Sequence, residues 1–230
     1  MSCLEPFDEN IWTSPGERVR LYGVPFETRS VVVKLSDGGL WVHSPVLPAV
    51  ERCSELSAIG PVSYLVAPNK IHSLGIGTWQ AQCPEARTWV SPGFPERHPD
   101  IDFDERLTDT PPSAWAAEID QHVFSGHSFL DEVVFLHKPS RTLIITDLIQ
   151  KHNDNNDAWY VRLLKRLAGI KGRAGGMARD IRAGFKDKRA ARASRDLILG
   201  WDFDKLVISH GLCMHRAAKV DVERAWAWLD

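Results

Sequence analysis

Apolar residues along this chain fall into short runs bounded by turn-forming residues. RSVVVKL (29–35) and LWVHSP (40–45) flank SDGG, so the pattern predicts a β-hairpin. SYLVAP (63–68) reads as a short buried strand, ARTWVSP (86–92) as another closed by proline, and EIDQHVFSG (118–126) as a weaker one. DEVVFLHKPSRTLIITDL (131–148) predicts two strands joined at KPS, and DKLVISHG (204–211) a strand ending in His-Gly. In AAKVDVERAWAWL, Val222, Ala225, Trp226 and Leu229 share one helical face. Strands mixed with covering helices imply a layered α/β fold, and no linker divides residues 1–230 into two domains.

A different pattern occupies residues 155–200. Asn156 or Asp157 can cap a helix in which Trp159, Leu163, Leu167 and Ile170 recur at helical spacing. GIKGRAGG (169–176) breaks it, and a second basic helix is expected to end near RDLILGW. The expectation is two helices flanking the break at 172–176, with Trp159, Leu163 and Leu167 covering a sheet face.

Charge sharpens this picture. The chain has 230 residues and a net charge of −2, yet residues 161–195 hold 12 Lys/Arg against 2 acidic residues. Such a block is either a solvated face or a positive field that attracts an anionic small-molecule substrate or an anionic membrane surface. Nothing in it alternates aromatic with basic residues, which makes nucleic acid the weakest partner class. Hydrophobic residues make up 43% and charged residues 25%, as in ordinary globular domains, and no apolar run approaches the ~18 residues that span a bilayer. The N-terminus, MSCLEPFDEN, has no signal-peptide core, and Cys3, Cys53, Cys83 and Cys213 are scattered; together these predict reduced thiols and a cytoplasmic location. The nine tryptophans are expected in the core or a pocket wall.

Candidate chemistry sits at strand ends. His127 precedes the strand pair, Asp147 follows it, His210 ends the later strand, and His72 lies just beyond the strand 63–68. Loops at strand ends gather around sites, and imidazole nitrogen and carboxylate oxygen are the ligands that hold zinc, iron or manganese at neutral pH. His43, His152 and His215 read as loop or supporting residues.

The order of these elements resembles the metallo-β-lactamase superfamily. SGHSFLDEVVFLHKPSRTLIITDLI (125–149) is similar to that family's stretch from a metal-binding Gly-His to its bridging aspartate, ISHG to its last strand-end histidine, and RSVVVKLSDGGLWVHSP to its N-terminal hairpin. More narrowly, APN…H (67–72) is similar to an uncharacterised branch of the superfamily, filed as a domain of unknown function. The resemblance implies an α/β, αββα four-layer sandwich with a basic helical insertion at about 155–200.

The chain departs from the family's motifs. His43-Ser44-Pro45 stands where the family has Asp-Thr-Gly after the hairpin. Aligning Gly75 with the glycine of Thr-His-x-His-x-Asp-His-x-Gly places Pro68 and Lys70 at the paired histidines, His72 at the aspartate and Ser73 at the last histidine. A shift of one residue places His72 at the last histidine instead. Either way the resemblance implies a reduced site: His72, Asp147 and His210 hold one divalent metal, zinc before iron or manganese, with His127 a fourth ligand or a hydrogen-bond partner of bound water. Lys70 is expected to take the place of the other cation beside Asp147, and Asp147 or His127 to accept a proton. The implied function is a single-metal hydrolase acting on an ester, thioester, lactone, amide or phosphoester. The alternatives are a non-catalytic member that binds a ligand or partner and carries no metal, and an iron-dependent redox protein.

Overall fold

The computed structural model describes residues 3–21, 24–152, 157–171 and 175–230. In chain order the elements are β1 (Glu5–Asp8), β2 (Ile11–Pro15), β3 (Val19–Leu21), β4 (Val24–Phe26), β5 (Arg29–Lys34), β6 (Leu40–His43), α1 (Ala49–Ser57), β7 (Val62–Ala67), α2 (Ile76–Gln82), β8 (Arg87–Val90), α3 (Phe94–Arg97) and β9 (Glu105–Arg106). There follow β10 (Ile119–Val123), β11 (Val133–His137), β12 (Thr142–Ile145), α4 (Trp159–Ala168), α5 (Arg179–Gly184), α6 (Lys188–Leu199), β13 (Lys205–Ile208) and α7 (Ala218–Trp226).

Two sheets form the centre. One runs β1-β2-β5-β6-β7-β8-β9 and the other β10-β11-β12-β13, while β3 and β4 pair only with each other. The alternation along each strand decides what each face meets. Val31, Val33, Trp41 and Val66 of the first sheet meet Val133, Phe135, Ile144 and Val207 of the second in the central core. Val32, Val42 and Leu65 point the other way, onto Leu56, Ile76 and Trp79 of α1 and α2. Leu143, Ile145, Leu206 and Ile208 face outward onto Ala191, Ile198, Val222 and Trp226 of α6 and α7. The result is the four-layer αββα sandwich. Burying each of these large side chains contributes roughly 1.5–3 kcal/mol, so a one-residue slip in register would forfeit several at once.

The hairpin β5–β6 and the strands β7, β8, β10, β11, β12 and β13 occupy the segments that alternation predicts. Val222, Ala225, Trp226 and Leu229 are buried on one face, as their spacing requires. The basic stretch differs from expectation. Among its described residues it forms three helices, α4, α5 and α6, not two. Trp159 is 76% exposed, Leu163 48% and Leu167 57%, so these residues do not cover a sheet. The buried side of α4 is instead Val161 and Lys165, whose ammonium pairs with Asp157 at 2.7 Å. Asp157 thus serves an ion pair, and the N-cap of α4 is Ala158 with no side-chain cap; Asn156 and residues 172–174 lie outside the described residues.

Strand direction positions the site. β6 and β7 run parallel, as do β12 and β13, so the segments after each pair emerge together. The two sheets are tied at this edge: the Val133 amide donates to Pro68 O at 2.8 Å, and the Arg29 guanidinium donates to the carbonyls of Ile208 and Gly211.

Candidate metal centre

Each ligand lies in the segment that follows a strand, Asp147 and His210 two residues beyond β12 and β13 and His72 five beyond β7. After β7, Asn69 is fully buried and its Oδ1 accepts the amides of Ile71 (2.9 Å) and His72 (2.8 Å). This Asx turn fixes the loop that carries His72. After β12 comes Asp147, whose amide donates to Glu132 Oε2 at 2.8 Å. After β13 comes His210, whose Nδ1 lies 2.6 Å from the carbonyl oxygen of Glu27. A carbonyl only accepts, so Nδ1 carries the ring proton and the Nε2 atom faces the site. His72 is oriented likewise by Ser44, whose Oγ is 2.7 Å from its Nδ1.

Three ligand atoms therefore converge. His72 Nε2 is 3.1 Å from His210 Nε2 and 3.2 Å from Asp147 Oδ2, and His210 Nε2 is 3.3 Å from Asp147 Oδ1. Ligands about 2.0–2.1 Å from a tetrahedral ion stand about 3.3 Å apart, so this triangle fits one ion with little rearrangement. Both imidazoles are held through the nitrogen remote from the site, the arrangement that sets tautomer and ring angle in metal proteins. His72, Asp147 and His210 form a group able to hold a cation.

The electrostatics agree. Burial pushes the Asp147 carboxyl up, but the charge of His72 and hydrogen bonds from His210 and His72 outweigh it and hold the group well below the usual carboxylate range. Burial pulls His210 down, but its bond to Asp147 and that residue's charge outweigh this and raise its affinity for a proton. A cation entering the site has to displace that proton.

Two supporting residues were not singled out from the sequence. Asn69 Nδ2 donates to Asp147 Oδ2 at 2.8 Å and Thr146 Oγ1 at 2.9 Å. Glu132 is 1% exposed and accepts the amides of Thr146 (2.7 Å), Asp147 (2.8 Å) and Leu148 (3.2 Å). Burial, and then the charge of Asp147, push its carboxyl up to about 8. The asparagine after Ala-Pro was a readable turn signal. Nothing local marks a glutamate at the start of a strand as buried.

The structure corrects two of the expected site residues. His127 lines the same cavity, but both its nitrogens are engaged. Nδ1 accepts the amides of Phe129 (3.0 Å) and Leu130 (2.6 Å), and Nε2 lies 3.0 Å from Ile181 O. No lone pair is left for a metal or a substrate proton, so His127 is a loop anchor here. Lys70 does not stand beside Asp147. Its ammonium lies 3.7 Å from Asp131 Oδ1 and 4.7 Å from the Phe129 ring centroid. The nearest neutral support for Asp147 is the amide of Asn69.

The three ligands open into a cavity of about 1060 Å³, lined in part by Val19, Val24 and Phe26 of the β3–β4 hairpin. The Phe26 ring packs edge-on against His210 at 5.8 Å between centroids.

Comparison with known proteins places the chain. Residues 8–163 match the family described as "Domain of unknown function (DUF4336)". The chain belongs to this family. This DUF4336 member also has the metallo-β-lactamase fold. It superposes on a metallo-β-lactamase from Pontibacter korlensis with a TM-score of 0.65 and 12% identity, covering 96% of this chain and 97% of the other. The FIM-1 metallo-β-lactamase from Pseudomonas aeruginosa, in its mono-zinc form, gives 0.61 and 10%, covering 96% and 95%. The Flv1 flavodiiron core from Synechocystis sp. PCC6803 gives 0.67 and 9%, covering 98% of this chain and 60% of the other. A search of curated protein sequences finds no significant match.

Proposed function

We propose that this DUF4336 member is a hydrolase working with a single divalent metal, zinc in the first instance, held by His72, Asp147 and His210. The observation that carries the reading is the triangle of ligand atoms at 3.1–3.3 Å, each ligand fixed from behind. Two imidazoles and one carboxylate are a sufficient ligand set for a catalytic ion. A cation there supplies Lewis acidity, polarising a carbonyl or phosphoryl oxygen and making water more acidic. A fold neighbour described in a mono-zinc form supports the idea that one ion suffices in this architecture.

The chain's own residues do the rest. Asp147 stays ionised and brings negative charge to the cation. Ser44 and the Glu27 carbonyl keep both imidazoles aimed inward, which removes the cost of orienting them at each turnover. The hairpin β3–β4 and Phe26 cover the ligands and limit water around the scissile bond. The bonds this suits are esters, thioesters, lactones, amides and phosphoesters.

The test is elemental analysis of protein purified without a metal-affinity tag, followed by a panel of these substrates before and after chelation. Stoichiometric zinc with activity that chelation removes and zinc restores supports the reading. Metal-free protein, or bound metal with no hydrolysis, sinks it. A second reading, iron-dependent redox chemistry, draws on the likeness to a flavodiiron core and on the suitability of two histidines and a carboxylate for non-haem iron. Stoichiometric iron in the same analysis would favour it.

A further inference from the structure

Helix α4 presents an apolar face to solvent. At 100° per residue, Trp159, Leu163, Leu167, Tyr160 and Leu164 follow one another around an arc of about 140°. All five are exposed, Trp159 by 76%, whereas Val161 and Lys165 on the opposite side are buried. One border of the arc, Leu164 and Ala168, lines the cavity that holds His72, Asp147 and His210. The apolar surface therefore runs from the cavity out over the helix. The cavity lining also includes Leu74, 68% exposed, and Phe129, 48% exposed. A helix face with five exposed large apolar side chains marks an interaction site.

The other border of the arc is cationic. Arg162 and Arg166 are exposed there, and exposed Arg179 lies beside Gly169, the C-cap of α4. Within residues 161–195 the only acidic side chains are Asp180 and Asp187, and Asp187 caps the N-terminus of α6. Trp, Tyr and Leu on one face, edged by arginine, is the composition of a helix lying in a lipid headgroup layer: the rings and aliphatic chains enter the acyl boundary and the guanidinium groups meet phosphate.

We propose that the α4 face docks on an anionic bilayer surface and turns the cavity mouth toward it, so that the substrate is an amphiphile whose acyl chain passes along Leu164 and Phe129 into the cavity. Docking is independent of the hydrolase reading; the choice of substrate rests on it. An acyl chain suits this cavity because most of its lining is apolar, Val19, Val24, Phe26, Leu130, Ile170 and Ile181 included, and a polar head would stop at His72, Asp147 and His210.

Cosedimentation with mixed phosphatidylcholine–phosphatidylserine vesicles and with pure phosphatidylcholine vesicles tests docking. Wild type should bind the mixed vesicles and release at high salt. Leu163→Ser with Leu167→Ser should lower the bound fraction about tenfold or more, and so should Arg162→Glu with Arg166→Glu, with thermal melts unchanged because all four side chains are exposed. Asp147→Asn should bind vesicles like wild type, which separates failure of docking from failure of the hydrolase reading. A dansyl-labelled fatty acid should bind wild type and the Leu163→Ser/Leu167→Ser variant equally in solution, since the cavity remains. No binding to mixed vesicles, or binding that neither double variant weakens, overturns docking. A dimer in light scattering that the leucine variant dissociates would assign the face to a second copy instead and also overturns it. No binding of the fatty acid overturns the choice of substrate.

Discussion

The hydroxyl of Ser44 lies 2.7 Å from Nδ1 of His72 and turns that ring so that Nε2 faces Asp147. Ser44 adopts φ of 51°, in the left-handed region, and its carbonyl accepts a 2.8 Å bond from Ser30 Oγ. The hydroxyl is thus placed by a backbone held on both sides. Ser44→Ala should weaken zinc binding about tenfold with little loss of fold. Asp147→Asn should go further and leave metal below one ion per chain. Competition with a chromophoric chelator measures both; unchanged affinity in Ser44→Ala would remove the orienting role.

His127 and Lys70 should be dispensable for metal. Lys70→Met breaks the pair with Asp131, and His127→Ala frees the amides of Phe129 and Leu130. Metal content should match wild type in both. His127→Ala should cost about 1–3 kcal/mol in urea denaturation, because its ring ties residues 127–130 to Ile181. Loss of metal in His127→Ala would restore it to the ligand set.

Glu132 should prove structural through the acceptors it presents, since both of its oxygens take buried backbone amides. Oε1 accepts the Thr146 amide and Oε2 those of Asp147 and Leu148, so Glu132→Gln turns one acceptor into a donor facing a buried N–H and should cost about 1–3 kcal/mol. Glu132→Ala strands three buried amides, those of Thr146, Asp147 and Leu148, and should cost about 3 kcal/mol or more. Chemical denaturation of the two variants at pH 7 measures these losses, and a Glu132→Gln variant as stable as the wild type would contradict this account.

His43 should make the fold acid-sensitive. It is fully buried against Trp41 and Phe135, and neither nitrogen has a hydrogen-bond partner among the described residues. Burial, with the charge of His72, lowers it from 6.5 to about 3. The unfolded chain takes up this proton near pH 6.5 and the native state does not until about pH 3. The stability this group contributes is therefore complete above pH 6.5 and declines as pH falls through that window, by up to about 1.4 kcal/mol per pH unit. His137, lowered by burial to about 4, acts in the same direction. His43→Phe should flatten the fall in melting temperature between pH 7 and pH 5, whatever its effect at pH 7. An unchanged slope would assign the acid sensitivity elsewhere.

By itself the sequence determined strands β5 to β8 and β10 to β13 and their alternation of faces. Val31–Val32–Val33, Leu143–Ile144–Ile145 and Leu206–Val207–Ile208 place successive side chains on opposite faces, and that local period needs no knowledge of the rest of the chain. It also placed His72, Asp147 and His210 after strand ends, because parallel pairing brings such ends together. Tertiary structure alone decided which candidates meet. His127 occupies an equivalent strand-end position, yet the amides of Phe129 and Leu130 and the carbonyl of Ile181, 54 residues away, consume its ring nitrogens. Lys70 was drawn to Asp131, 61 positions along the chain, and Asn69 took the place beside Asp147. The period of α4 marked it as amphipathic but could not say which side faces the protein. Val161 and Lys165 pack inward because Lys165 has Asp157 to neutralise it, and the larger apolar arc is left outside. Hydrophobic periodicity is a property of neighbours along the chain; ligand convergence and helix orientation depend on partners that only the folded chain supplies.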